Sequence, residues 1–256
     1  MAKQGYITYL PDCVGHGRSS GAWACVFSLE LLAQHLAYVA SKVVQLHPSL
    51  PLFIQGESMG GMLVCYSPFF MTDATLRKLE GIVAVCPAFM VHDDAGQPIL
   101  EQFIQLWPLD WVKKVLPRFP ATPGPKGNIF SADPQLNQLA EESVQNDPLE
   151  YTGDTTFSTG TTFLQRLMIE KNRRELVRKV QTLEKPLLLL HGTGDKCVDI
   201  NASRELIQGL GSVHQKLIEY EGKCHVLLSE DEQTRNQFLT DMTDFFADLL
   251  THEIKI

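Results

Sequence analysis

Apolar positions along this chain follow two different patterns. Leu29, Leu32, Leu36, Val39, Val43 and Leu46 recur at alternating steps of three and four before Pro48, which predicts a helix with one sheet-facing stripe. Gly81-Ile82-Val83-Ala84-Val85-Cys86 is continuous instead, as a parallel strand covered on both faces requires, and Leu187–Leu190 and Lys216–Tyr220 repeat that strand character. Shorter strand-like runs lie at Leu52–Ile54 and Tyr6–Leu10, the second ended by Pro11-Asp12. Helical patterns at Ala202–Leu210 and from about Asp231 to Leu250 alternate with the later runs. Strands alternating with helices predict an α/β fold, with a mostly parallel sheet and helices on both faces.

Between 89 and 180 the alternation stops, and the segment turns rich in Pro, Asn, Gln and aromatic residues. The expected organisation is therefore one core in two parts, 1–88 and 181–256, around an inserted helical cap at 89–180. Leu100, Phe103, Ile104, Trp107, Trp111, Val112, Val115 and Leu116 keep helical spacing across the break at Pro108, and Phe163, Leu164 and Leu167 form another apolar face. Most of these read as packing of a small helical subdomain. Trp107 and Trp111 are the candidates for lining an acyl pocket or meeting a lipid interface.

With 256 residues, 44% hydrophobic and 20% charged, the chain is long enough for one large core. A net charge of −8 argues against nucleic acid as the main partner, because binding phosphates needs a basic face. No apolar run approaches the roughly 20 residues that span a bilayer, and Met1–Cys13 lacks the pattern of a secretory signal. The six cysteines show no C-x-x-C spacing, which points to reduced thiols in the cytoplasm. There is no G-x-G-x-x-G opening a helix, no H-E-x-x-H and no P-loop, so neither a cofactor nor a metal is expected.

Gly56-Glu57-Ser58-Met59-Gly60 lies between the Leu52–Ile54 run and the apolar segment Met62–Tyr66. Strand, sharp turn, helix is the context in which a G-x-S-x-G serine is held exposed in a strained backbone conformation, with flanking glycines leaving room for strand and helix to approach. Ser58 is the candidate nucleophile, and the Met59 N–H at the helix start the candidate oxyanion donor. A serine hydroxyl needs a histidine base, and that base needs a carboxylate. Asp195, in the glycine-bearing loop after Leu187–Leu190, and His225, after Lys216–Tyr220, follow in the order Ser, acid, His at strand ends. Asp199 is the alternative acid, and His191 reads as a structural hydrogen bonder. Cys197 and Cys224 flank the proposed acid and base; packing residues are the simpler reading, thiol-reactive sensitivity the sharper one.

Taken together, Gly-His-Gly-Arg-Ser at 15–19, Gly-Glu-Ser-Met-Gly-Gly at 56–61, His-Gly-Thr-Gly-Asp at 191–195 and the late His225 resemble the monoacylglycerol lipase branch of the α/β-hydrolases, also described as serine aminopeptidase-like hydrolases or lysophospholipases. The resemblance runs from about Gln4 to Leu250. It implies Ser58, Asp195 and His225 as the triad, Met59 N–H in the oxyanion hole, 89–180 as the cap, and a lipophilic ester such as a monoacylglycerol as substrate, with the cap as the surface for peripheral membrane contact. One departure stands out: the family's His-Gly loop after its third strand, the source of a second oxyanion donor, has no counterpart, nor does the strand expected between Tyr6–Leu10 and Leu52–Ile54. The expectation is an incomplete record of a longer protein; the other reading is a short form with a rearranged sheet. Two functional readings follow. The first is a serine hydrolase of carboxylic esters, with lysophospholipase, aminopeptidase and acyltransferase as relatives of that chemistry. The second is a catalytically silent binding protein on the same fold.

Overall fold

The continuous apolar runs become neighbouring strands because each must bury two faces at once. The computed structural model describes residues 1–90, 109–122, 129–211 and 214–252. Strands β1 (Leu52–Glu57), β2 (Leu79–Val85), β5 (Leu187–Gly192) and β6 (Gln215–Tyr220) form a sheet in the order β1-β2-β5-β6, with every pairing parallel. Strands β3 (Pro120–Thr122) and β4 (Thr155–Thr156) make a separate antiparallel pair.

Alternate residues of the central strands face opposite cores. Ile82, Ala84, Leu187 and Leu189 join the core built with α1 (Leu29–Leu46) and α2 (Met59–Tyr66). Val83, Val85, Leu188 and Leu190 join a second core with Phe238, Met242 and Phe246 of the C-terminal helix Glu232–His252. Apolar side chains on both faces of one strand are what the absence of polar alternation in these runs encodes. At its start α1 is capped by Ser28, whose side chain accepts from Leu31 N–H, and it buries Leu29, Leu32, Ala33, Ala37 and Ala40. The short helix α3 (Asp73–Lys78) carries the chain from α2 into β2.

Within the expected insertion, the described elements are α4 (Leu109–Val115), α5 (Pro134–Asn146), α6 (Phe157–Phe163), a π-helical turn at Leu164–Met168 and α7 (Glu170–Gln181). Hydroxyls of the α6 region dock onto the backbone just before α1: Thr156 Oγ1 and Thr159 Oγ1 donate to Ala24 O at 2.8 and 2.9 Å, and Thr162 Oγ1 donates to Val26 O at 2.8 Å. Helix α7 buries Val177 and Val180 in the same core as α1 and α2. Trp107 and the positions around it lie outside the described residues. Helix α8 (Ile200–Gln208) connects β5 to β6, and the C-terminal helix is α9.

Tyr6–Leu10 does not form the strand expected of it. A strand needs a partner, and among the described residues the edge of β1 away from β2 has none. Ile7 and Leu10 are exposed instead, while the Tyr6 ring rests against Phe246 at 5.7 Å.

Close approach of β1 and α2 depends on particular glycines. A Cβ on Gly56 would lie 2.3 Å from Gly60 O, and one on Gly61 would lie 2.9 Å from Val85 O, backbone atoms that cannot swing aside. A Cβ on Gly60 meets nothing within 4 Å among the described residues, so its helical backbone, not its missing side chain, is what Gly56 approaches. Replacement Gly56→Ala is expected to cost about 3 kcal/mol or more, whereas Gly60→Ala, inside a helix, should be neutral or stabilise by up to about 1 kcal/mol. Urea unfolding of the two variants checks this, and equal losses would contradict it.

Candidate active site

Ser58 sits at the turn from β1 into α2 with φ 56° and ψ −120°. That region is costly for a residue with a Cβ, by about 1–3 kcal/mol, and persists only where the surroundings fix it. Three backbone hydrogen bonds do so: Ser58 N–H donates to Val85 O (2.9 Å), and Ser58 O accepts from Ala88 N–H (3.0 Å) and Met62 N–H (3.1 Å). The elbow is thereby fastened to the end of β2. Met59 is the first residue of α2, so its N–H has no carbonyl partner one helical turn back.

Asp195 and His225 come together on the loops that follow β5 and β6. His225 Nδ1 lies 2.7 Å from Asp195 Oδ2, and both residues are buried. Asp195 Oδ1 accepts from Cys197 N–H at 2.8 Å and Val198 N–H at 3.0 Å, which locks the carboxylate so that Oδ2 faces the ring. His191 Nε2 stands 3.3 Å from the same Oδ2, while its Nδ1 is 2.8 Å from Ser203 Oγ. Burial pushes the Asp195 carboxyl up, but the His191 and His225 rings and the Val198 N–H more than reverse this and hold it well below the usual carboxylate range. The bond from His225 to Asp195 engages Nδ1 and leaves Nε2 as the other ring nitrogen of His225. Asp199 is elsewhere: it caps α8, its side chain accepting from Asn201 N–H.

The two loops are laced to one another and to the inserted region. Thr193 N–H donates to Tyr220 O, Gly194 N–H to Lys223 O, and Gly222 N–H to Thr193 Oγ1. A residue missed in the sequence, Glu230, is fully buried beneath the His225 loop. Its Oε1 accepts from Cys224 N–H at 2.7 Å, and its Oε2 from Ser131 Oγ at 2.8 Å. Ala132 N–H donates to the same carboxylate, and His225 N–H to Ile129 O. No sequence signal marks Glu230, because all its donors but the Cys224 N–H come from Ser131 and Ala132, far away in the chain.

Cys86, at the end of β2, is buried with φ 40° and brings its sulfur within 4.8 Å of the Asp195 and His225 ligand atoms. The carboxylate and imidazole of that trio bond each other, and burial pushes the Cys86 thiol well up. Burial likewise pushes Cys197 up to about 12 and raises Cys224, which leaves both as protonated thiols. Trp111 is on α4, exposed beside Val115, Leu116 and Phe119.

Known proteins share this arrangement of elements. The family model for serine aminopeptidase, S33, matches residues 1–232. Monoacylglycerol lipase of Mycolicibacterium smegmatis is 25% identical over 244 residues, covering 95% of this chain and 79% of that protein. Caffeoylshikimate esterase of Arabidopsis thaliana is 25% identical over 257 residues, covering 96% of this chain and 70% of its own. Among solved structures, a soluble variant of monoglyceride lipase from Saccharomyces cerevisiae in complex with a substrate analog superposes with a TM-score of 0.73 at 21% identity, over 93% of this chain and 76% of that one.

The strain at Ser58 makes a measurable difference between two small replacements. Glycine tolerates φ 56° but adds flexibility to the unfolded chain, whereas alanine keeps the strain. Ser58→Gly should therefore be more stable than Ser58→Ala by about 1 kcal/mol, read from denaturant midpoints at unchanged slope. The buried clamp gives the opposite sign: Glu230→Ala should cost about 3 kcal/mol, leaving Cys224 and Ala132 N–H groups unsatisfied.

Proposed function

The chain belongs to the serine aminopeptidase S33 family of α/β-hydrolases, and from that premise we propose that it hydrolyses lipophilic carboxylic esters, monoacylglycerols among them, through an acyl-enzyme on Ser58. The observation that carries this reading is the 2.7 Å bond from His225 Nδ1 to Asp195 Oδ2, on the loops that follow β5 and β6. In the proposed reaction His225 Nε2 takes the Ser58 proton as Oγ attacks the ester carbonyl. Asp195 stabilises the imidazolium, and Met59 N–H binds the oxyanion. Collapse of the tetrahedral intermediate expels the alcohol with the proton from His225. Water, deprotonated by the same ring, then attacks the acyl carbonyl, and collapse of the second intermediate breaks the acyl–Oγ bond, returns the proton from His225 to Ser58 Oγ and releases the carboxylic acid.

The inserted region, short of α7, serves as the cap. Its apolar surface around Trp111, Leu116 and Phe119 favours an acyl chain or a lipid interface over a charged substrate. The M. smegmatis relative's name speaks for a monoacylglycerol and the A. thaliana relative's for a different ester, so the acyl-transfer chemistry is held in common and the cap selects.

A fluorophosphonate probe should label the wild-type protein and not Ser58→Ala, and Asp195→Asn should lower ester kcat by on the order of 10³–10⁴-fold. Turnover of a monoacylglycerol is to be compared with that of a lysophospholipid and an aminoacyl amide. Ligand binding with no Ser58-dependent turnover or labelling would favour the silent binding protein instead.

A further inference from the structure

The residue just before the nucleophile, Glu57, has no place in the acid–base–nucleophile set, and its surroundings are unusual for a carboxyl group. It is the last residue of β1, opposite Val85 of β2, at the carboxyl end of the sheet where Asp195 and His225 also lie. Its Oε1 is buried and has no hydrogen-bond partner among the described residues, in contrast to the Asp195 and Glu230 carboxylates, which accept several bonds each. The ionisable groups that reach it are His225 from the loop after β6, Asp195 from the loop after β5 and Cys86 from the end of β2. Of these, His225 alone gains positive charge during the proposed reaction.

Resting on the Ser58 hydrolase reading, we propose that Glu57 is a positioning residue that acts through His225: its carboxylate is a second negative charge stabilising the imidazolium that forms when Ser58 gives up its proton. A carboxyl oxygen buried without a donor is not neutralised by local hydrogen bonds, so its field is available to the ring. Burial first, and the Asp195 charge after it, push the Glu57 carboxyl up to about 7, with the His225 charge pulling the other way. Below that pH the group is a neutral acid that contributes little to the imidazolium. Above it the group is ionised and contributes fully. The device therefore switches on with rising pH in the neutral range.

Glu57→Gln copies the neutral acid at every pH and supplies the test. The ratio of wild-type to variant kcat/KM on a p-nitrophenyl ester should be near one at about pH 5.5 and rise to about tenfold by about pH 8.5, through a midpoint of about 7. Most of the change should fall in kcat, and Glu57→Asp should give an intermediate ratio. Thermal unfolding supplies a readout that does not need turnover. A carboxyl whose folded value is raised stabilises the protein fully below its unfolded value of 4.5, and that stability is lost as pH rises through about 7. The Tm of Glu57→Gln should thus gain on wild type by about 5 °C between pH 4.5 and pH 8. A rate ratio that stays flat with pH, or a Tm gap that does not open, overturns the proposal while leaving the hydrolase reading in place. Absence of Ser58-dependent hydrolysis in wild type at every pH overturns the hydrolase reading itself, and this inference with it.

Discussion

The contact between Gly56 and the backbone of Gly60 sets the geometry of everything around the candidate site. Only a bare Cα at 56 lets α2 start directly above the end of β1, and only with the helix so close is the intervening residue driven to φ 56°. The strain is local, but what opposes it is not. Ser58 is bonded on one side to Val85 O and on the other to Ala88 N–H, so the turn is held by the end of β2, which is itself fixed by its pairing with β5. A strand buried on both faces has almost no freedom to follow a relaxing turn. The sheet core therefore offsets the strain and keeps the serine where it is.

The same logic extends across the sheet. Parallel strands end at one edge, so the loops after β1, β2, β5 and β6 crowd together whatever their sequences. Crowding alone would not bring Asp195 Oδ2 to 2.7 Å from His225 Nδ1. That distance depends on backbone ties between the acid and base loops at Thr193, Gly194 and Lys223, and on the Glu230 carboxylate underneath, which joins the base loop to Ser131 and Ala132. The segment at 129–132 thus bears directly on the position of the histidine, although it lies within the expected insertion.

Signals that depend on one element were legible in the sequence. The three-and-four stripe of α1, the continuous runs of β2 and β5, and the strand-end positions of Ser58, Asp195 and His225 each express a local requirement that neighbouring residues must meet. Signals that depend on a partner were not. Tyr6–Leu10 has strand composition and, among the described residues, no strand beside it. The glycines flanking Ser58 look equivalent in sequence, yet Gly56 and Gly61 face backbone while a side chain at Gly60 would find open space. Glu230 reads as one more acidic residue before a helix until its donors are known.

Three carboxyl groups at this end of the sheet, Asp195 and Glu230 buried and Glu57 half-buried with one buried oxygen, show why residue type alone is a poor guide to role. Asp195 accepts two backbone N–H groups and faces two imidazoles, so it stays charged and fixes a ring. Glu230 accepts backbone and hydroxyl donors from two segments, so it acts as a clamp. Glu57 has a buried oxygen with no donor among the described residues, so burial governs it and pushes its carboxyl up to about 7. Each group has the same chemistry in water, and the protein separates them only by how many donors it aims at each. A carboxylate that is satisfied is structurally committed, whereas one left unsatisfied keeps its field for whatever charge appears nearby. At the end of β1, next to the serine, the charge in question is the one the proposed base would acquire.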